Sequence, residues 1–302
     1  MGDNIAEIEY VITSIPPTAS TNEPRNLPSL KYDLRKRKVR ILIFWSMVLL
    51  DSMIIPIVLY FLLWKGSGLD HDTVYLIISA TLAGTSILEY FWRFWLLGKK
   101  SSSCRVRGAK WWHMDSVQYM LSPALICIVM LAVYGGLPPK PNPRMLALVA
   151  PAFIFVIAVE ILIIDVLFLA GIKSPVRLSS VPRRRKLRPG IYFIVEDVIA
   201  VNGGGGTEYR ERLEQRYLDS IQFRRLMIFM SFFWSLPAII VATITVLFVL
   251  RTNRSLAYVL GPVVPFLWAI MWTAITFCVA KQHLYHERAT WRRELRGGIR
   301  PV

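Results

Sequence analysis

Six ionisable side chains lie inside long apolar stretches of this chain: Asp51, Glu89, Arg93, Asp115, Glu160 and Asp165. A charge in hydrocarbon is expensive unless it is paired or faces a polar cavity, so chemistry is to be sought at these residues. At ~1.5 Å per helical residue, Asp51 and Glu160 lie ~15 Å from the basic ends of their stretches, Glu89 ~12 Å, Asp165 ~8 Å and Arg93 ~6 Å. All fall in the half next to the basic loops. This predicts a polar cavity open on that side and closed on the other by apolar packing. Glu89 and Arg93 are four apart in the order that favours a helical ion pair, which predicts an internal salt bridge. Glu160 and Asp165 are five apart, ~140° around a helix, and do not share a face. Asp115 and Asp165 are shallow enough to pair with basic loops, whereas Asp51 and Glu160 have no basic neighbour on their own stretches. Five carboxyls against one arginine leave at least one to be balanced by a proton, a cation or a substrate. The chemistry this allows is cation binding, or proton donation by a carboxyl in apolar surroundings.

The elements that must position these groups are six apolar stretches of about 23–26 residues, at 41–64, 73–97, 115–137, 145–170, 226–250 and 256–280. Each is long enough to cross a ~30 Å hydrocarbon core as a helix. The predicted fold is an all-α polytopic membrane protein with about six transmembrane helices in three hairpins. A mean hydropathy of +0.45 with 36 Lys and Arg, 20 Asp and Glu and a net charge of +16 fits apolar spans separated by charged loops. Of the basic residues, 30 fall before the first stretch, in the second and fourth connections, or after the last. The opposite side holds Lys65, Lys140, Arg144, Arg251 and Arg254. Basic loops are retained in the cytosol, so both termini are expected there. The charge therefore reads as a topology signal with affinity for the anionic cytosolic leaflet, and not as a nucleic-acid footprint. Span length leaves endoplasmic reticulum, plasma membrane and other endomembranes open.

Residues 1–40 read as a basic, disordered cytosolic tail without a secretory signal, and 281–302 as a second basic tail. Short outer connections make the hairpins one to two, three to four and five to six. Pro56, Pro123, Pro151, Pro237, Pro262 and Pro265 lie inside five spans, where each removes a backbone donor. The second span has none and carries Ser79, Ala80, Ala83 and Gly84, a spacing that lets another helix approach and predicts a central position. Trp64, Trp92, Trp95, Trp111 and Trp112 fit interfacial belts. Asn253 heads an N-glycosylation sequon, but a short turn holds it against the bilayer and predicts that it is not used.

The connection 171–225 begins with Arg183, Arg184, Arg185, Lys186 and Arg188, a cluster suited to anionic lipid headgroups or to enforcing topology. Apolar residues at 191, 194, 195, 198 and 199 predict an amphipathic helix lying on the membrane surface. Gly203 to Gly206 reads as a flexible hinge, because no Gly-Lys-Ser/Thr follows to make a phosphate loop. Thr207 is expected to cap a helix over 208–225 that continues into span five, with a Glu208–Arg212 pair and a stripe of Tyr209, Leu213, Tyr217 and Ile221. The stretch RPGIYFIVEDVIAVNGGGGTEYRERLEQRY, residues 188–217, followed by Phe223, Arg224 and Arg225, resembles a signature in a group of uncharacterised multi-span membrane proteins of filamentous fungi. That resemblance implies a multi-pass fold and a fungal source, and it brings no established activity.

Four His, none deep in a span, are too few for histidine-rich di-iron clusters and unplaced for paired haem ligands. No hydrolase elbow, zincin motif or phosphate loop is present, and no cofactor or metal is expected. Three readings stay open. One is a transporter or binder of a cation or small polar metabolite through a cytosol-facing cavity. Another is a membrane-embedded enzyme using a buried carboxyl as acid on a lipid-like or terpenoid substrate. The third is an interaction scaffold.

Overall fold

A computed structural model describes Leu30, Ser46 and residues 54–66, 68–99, 104–106, 113–136 and 142–296. Asp51, Trp111 and Trp112 lie outside the described residues. These residues form helices and no strand: α1 Ile55–Gly66, α2 His71–Gly98, α3 Ser116–Gly136, α4 Pro143–Ala147, α5 Val149–Leu169, α6 Gly190–Asp197, α7 Gly206–Asp219, α8 Ile221–Arg251 and α9 Arg254–Arg296. A π-helical turn, Val198–Asn202, follows α6. Four helices are long and apolar enough to cross a membrane: α3, α5, α8 and the Leu256–Arg293 part of α9. The protein is therefore an all-helical, membrane-embedded one. The second expected span is the 28-residue α2, which carries His71, Asp72, Glu89 and Arg93 and is not among the four. The first, 41–64, is described mainly from Ile54 onward.

Proline shapes the bundle in two places. Pro151 has no N–H to bond the carbonyl of Ala147 and its ring crowds that residue, so the expected fourth span divides at Leu148 into α4 and α5. α9 comes close at this break. A Cβ on Gly261 would sit 2.2 Å from the Ala147 carbonyl oxygen, so this approach is open only to glycine. Within α8, Pro237 frees the carbonyl of Phe233, and Trp272 of α9 donates its indole N–H to it at 2.8 Å. The same tryptophan stacks on Phe233 at 4.5 Å between centroids and on Trp268 at 5.8 Å.

α3 pairs with α5 and α8 with α9 as antiparallel neighbours, while α8 also packs along α5 and against α6 and α7. Among the described residues, α8 and not the second span thus occupies the centre. On α2, Ala80 is exposed and a Cβ on Gly84 would meet nothing within 4 Å among the described residues.

The connection from α5 to α8 departs most from expectation. Tyr192, Phe193, Glu196 and Asp197 of α6 are fully buried, so one face of the segment is packed into the end of the bundle. The acids and the Tyr192–Phe193 face are covered, by α3, α5 and α8 on one side and α7 on the other, while the expected apolar face stays partly open, with Ile191, Ile194, Val195 and Ile199 half-buried and Val198 exposed. The tetraglycine is a closed turn and not a hinge. Gly205 N–H donates to the Ile199 carbonyl at 2.9 Å, Gly204 and Gly206 take φ of 65° and 63°, and a Cβ on Gly205 would lie 2.8 Å from Tyr209 Cβ. Gly205, not Thr207, precedes α7. The Glu208–Arg212 pair forms at 2.6 Å, and Tyr209, Leu213 and Tyr217 are buried as a stripe. The helix does not run into α8. Ser220 is extended (φ −118°, ψ 112°), and its hydroxyl accepts the Phe223 N–H at 3.1 Å to start α8 afresh.

Candidate functional site

Two groups of buried charge stand at different depths. The shallower one closes the end of the bundle where α2 ends and α3, α6 and α7 meet. Arg93 donates to Asp115 at 2.5 Å and also bonds Asn202. Arg93 thus has an acid outside its own helix, beyond the Glu89 that the spacing assigns to it; Glu89 stands on the exposed side of α2. The difference is geometric, because Asp115 sits ahead of α3, takes the Gln118 N–H at 2.8 Å, and is held there by a helix start that sequence spacing cannot reveal. Arg210 of α7 bonds Glu196 at 2.9 Å and also bonds Asp197, with Asp115 3.9 Å away. The Ser179 hydroxyl donates to Asp197 at 2.5 Å and accepts the Ser116 N–H at 2.8 Å.

Three carboxyls therefore meet two guanidinium groups, and every member is at most 7% exposed. Removal from water, followed by the nearby Asp115 and Glu196 carboxyls, pushes Asp197 up to about 7 despite Arg210 and Ser179. Burial opposes the charge on Arg210, but Asp197 and Glu196 outweigh it and hold the guanidinium above its ordinary range.

Two further contacts tie this end together. Arg188 is buried: it bonds Glu214 at 2.7 Å and Tyr192, and lies 4.6 Å and 5.2 Å from the rings of Tyr192 and Tyr217. It is a packing residue and leaves the exposed cluster of Arg183, Arg184, Arg185 and Lys186. Arg216 of α7 pairs with Glu287 of α9, which also accepts the Ser220 hydroxyl at 2.7 Å. The far part of α9 and the 171–225 connection are thus at one end of the bundle.

The deeper group lies on α5. Asp165 is 1% exposed, and its Oδ1 accepts the Gly190 N–H and the Ser231 hydroxyl, each at 2.7 Å. The first residue of α6 therefore seats on Asp165, and a Cβ on Gly190 would lie 2.9–3.2 Å from Ile161 atoms, backbone included. This corrects one expectation, since Asp165 pairs with no basic loop among the described residues. Its other oxygen makes no hydrogen bond. Glu160, five residues deeper and partly buried, also has an oxygen, Oε2, without a hydrogen bond. On α8, Ser235 is one turn beyond Ser231 on the same face, is fully buried, and has an unbonded hydroxyl. Neither Glu160 nor Asp165 has an ion-pair partner among the described residues. Asn253 accepts the Leu256 N–H at 3.1 Å and caps α9.

Sequence reading missed Glu196, Asp197 and Arg210. The signal was available: two adjacent acids interrupt the apolar run 191–201, and Arg210 and Arg216 fall on the buried stripe of α7, at helical spacing with Tyr209, Leu213 and Tyr217. Comparison with curated proteins and with solved structures finds no significant match. A family model described as a domain of unknown function (DUF8766) matches residues 17–291, a range that takes in both charged groups, and the chain belongs to that family.

Proposed function

We propose that the protein is a six-span membrane protein with both termini in the cytosol that binds small cations, for transport, within the membrane at the carboxyls of α5, with Glu160 and Asp165 as separate positions on different faces of that helix. The carrying observation is that these two carboxyls on one spanning helix have no ion-pair partner among the described residues, while each carboxyl of the shallower cluster is paired with an arginine. A buried carboxylate without a counterion is costly, and a bound cation removes that cost. The six-span topology is supported by the clustering of basic residues and by the Arg216–Glu287 contact, which joins the 171–225 connection to the C-terminal helix at one end. Asp165 is covered by Gly190, so loading from the cytosol requires the start of α6 to lift.

The test is cation uptake into proteoliposomes. Uptake is expected in the wild type and lost in Glu160→Gln and Asp165→Asn with normal yield; unchanged uptake in both variants overturns the reading. The partial exposure of Glu160 favours a second reading, acid chemistry on a lipid-like substrate reaching the helix from the bilayer. Conversion of an added prenyl substrate without cation flux selects it.

A further inference from the structure

The loop from α5 to α6 is charged in one sign only. Between residues 171 and 187 it holds Lys173, Arg177, Arg183, Arg184, Arg185 and Lys186 and no acid, and all six except Arg177 are exposed. Its backbone is held in place. Lys173 and Lys186 form one β-bridge and Leu178 and Val181 another; Ser174 N–H donates to the Arg185 carbonyl and Arg184 N–H to the Ser174 carbonyl, each at 2.8 Å. Val181 and Leu187 anchor it in the core. Arg184 sits at φ 67°, a conformation that side-chain-bearing residues rarely adopt, so the tip is fixed against its local preference.

Beside the arginines, Ile172 and Val176 are 46% and 56% exposed, and the loop leaves directly from the end of α5. Guanidinium groups bind phosphate in a planar, bidentate manner, and basic residues next to a span end are drawn to anionic headgroups. Exposed aliphatic side chains at that level suit the acyl boundary. We infer that the 171–187 loop is a docking surface for an anionic phospholipid, with Arg183, Arg184 and Arg185 on the headgroup phosphate and Ile172 and Val176 against its apolar part. The inference rests on the membrane-spanning reading of α5 and not on the cation site.

The full chain in neutral detergent is titrated with phosphatidylserine, phosphatidylcholine or inorganic phosphate and followed by native mass spectrometry. Preferential binding of phosphatidylserine is expected. At roughly fivefold per cation, Arg183→Gln/Arg184→Gln/Arg185→Gln should lower its affinity about a hundredfold. The single Arg185→Gln should lower it roughly fivefold, and the triple lysine variant should retain most binding. Equal binding of phosphatidylcholine, displacement of the lipid by inorganic phosphate at equal concentration, or unchanged affinity in both glutamine variants would each overturn the assignment. Proteoliposome uptake reads the cation site separately, so loss of one property with the other intact identifies which proposal fails.

Discussion

The two groups of buried charge differ in what surrounds them. At the shallower end, Asp115, Glu196 and Asp197 share Arg93 and Arg210, and serines add hydrogen bonds to Asp197 and Glu196; of the three carboxyls' oxygens only Glu196 Oε2 is left without one among the described residues. One or two turns into α5, Asp165 receives only a backbone N–H and a hydroxyl, and Glu160 keeps an unbonded oxygen. The arrangement in the first group holds elements together: it joins residues 93, 115, 179, 197 and 210, which no local structure brings near one another. The second group has no arginine beside it among the described residues, and a carboxyl so placed is costly unless it holds a proton or binds something. Buried charge is therefore not a uniform pointer to function. The presence or absence of a counterion sorts it.

Breaking the cluster should have the largest effect on stability. Arg210→Leu strands Glu196 and Asp197 without their shared cation and should cost about 3–5 kcal/mol, read by thermal or denaturant unfolding in detergent. Gly190→Ala tests the joint between the two groups, because the new Cβ meets the α5 backbone at Ile161. Overpacking of this kind costs about 1–3 kcal/mol, and unfolding monitored together with uptake should show both weakened.

Protonation sharpens the contrast further. Asp197 is held at about 7 in the folded protein, mainly by burial and then by Asp115 and Glu196, while an unfolded chain returns it to its ordinary range near 3.8. Between these values the folded state keeps a proton that the unfolded state releases. This contribution to stability is full below about 4, falls as pH rises to about 7, and is flat above. Melting temperature across pH 4–8 should show that slope in the wild type and a flatter one in Asp197→Asn. The smallest effect is expected from Trp272→Phe, which keeps the stack but returns the Phe233 carbonyl to its unbonded state beside Pro237. About 1 kcal/mol should be lost, measurable as a modest fall in melting temperature.

Much of the frame was legible in the sequence. Apolar length marked α3, α5, α8 and most of α9, and helical spacing gave the α7 stripe and the Glu208–Arg212 pair, because each depends on local periodicity. The elements misread were those whose state depends on distant partners. The 191–201 run has the pattern of a surface helix, and its apolar face stays partly open, but Arg210, more than ten residues on, pairs with its two acids and allows the opposite face to be buried. Tetraglycine composition signals conformational freedom, and the fold uses that freedom to close a tight turn under Tyr209. Arg93 took Asp115 across a loop, an acid outside its own helix, and Arg188 left its basic neighbours for Glu214 and two tyrosines. Glu160 and Asp165 were found because an acid within a continuous apolar run needs no partner to be noticed.

The most direct test of this division is modification by a hydrophobic carbodiimide, with the site of attachment found by peptide mass spectrometry in the presence and absence of the cation used in the uptake assay. The account predicts labelling at Glu160 that the cation suppresses, with Asp115, Glu196 and Asp197 unlabelled in their arginine-paired cluster. Labelling confined to those three residues, or labelling of Glu160 that no cation protects, would contradict it.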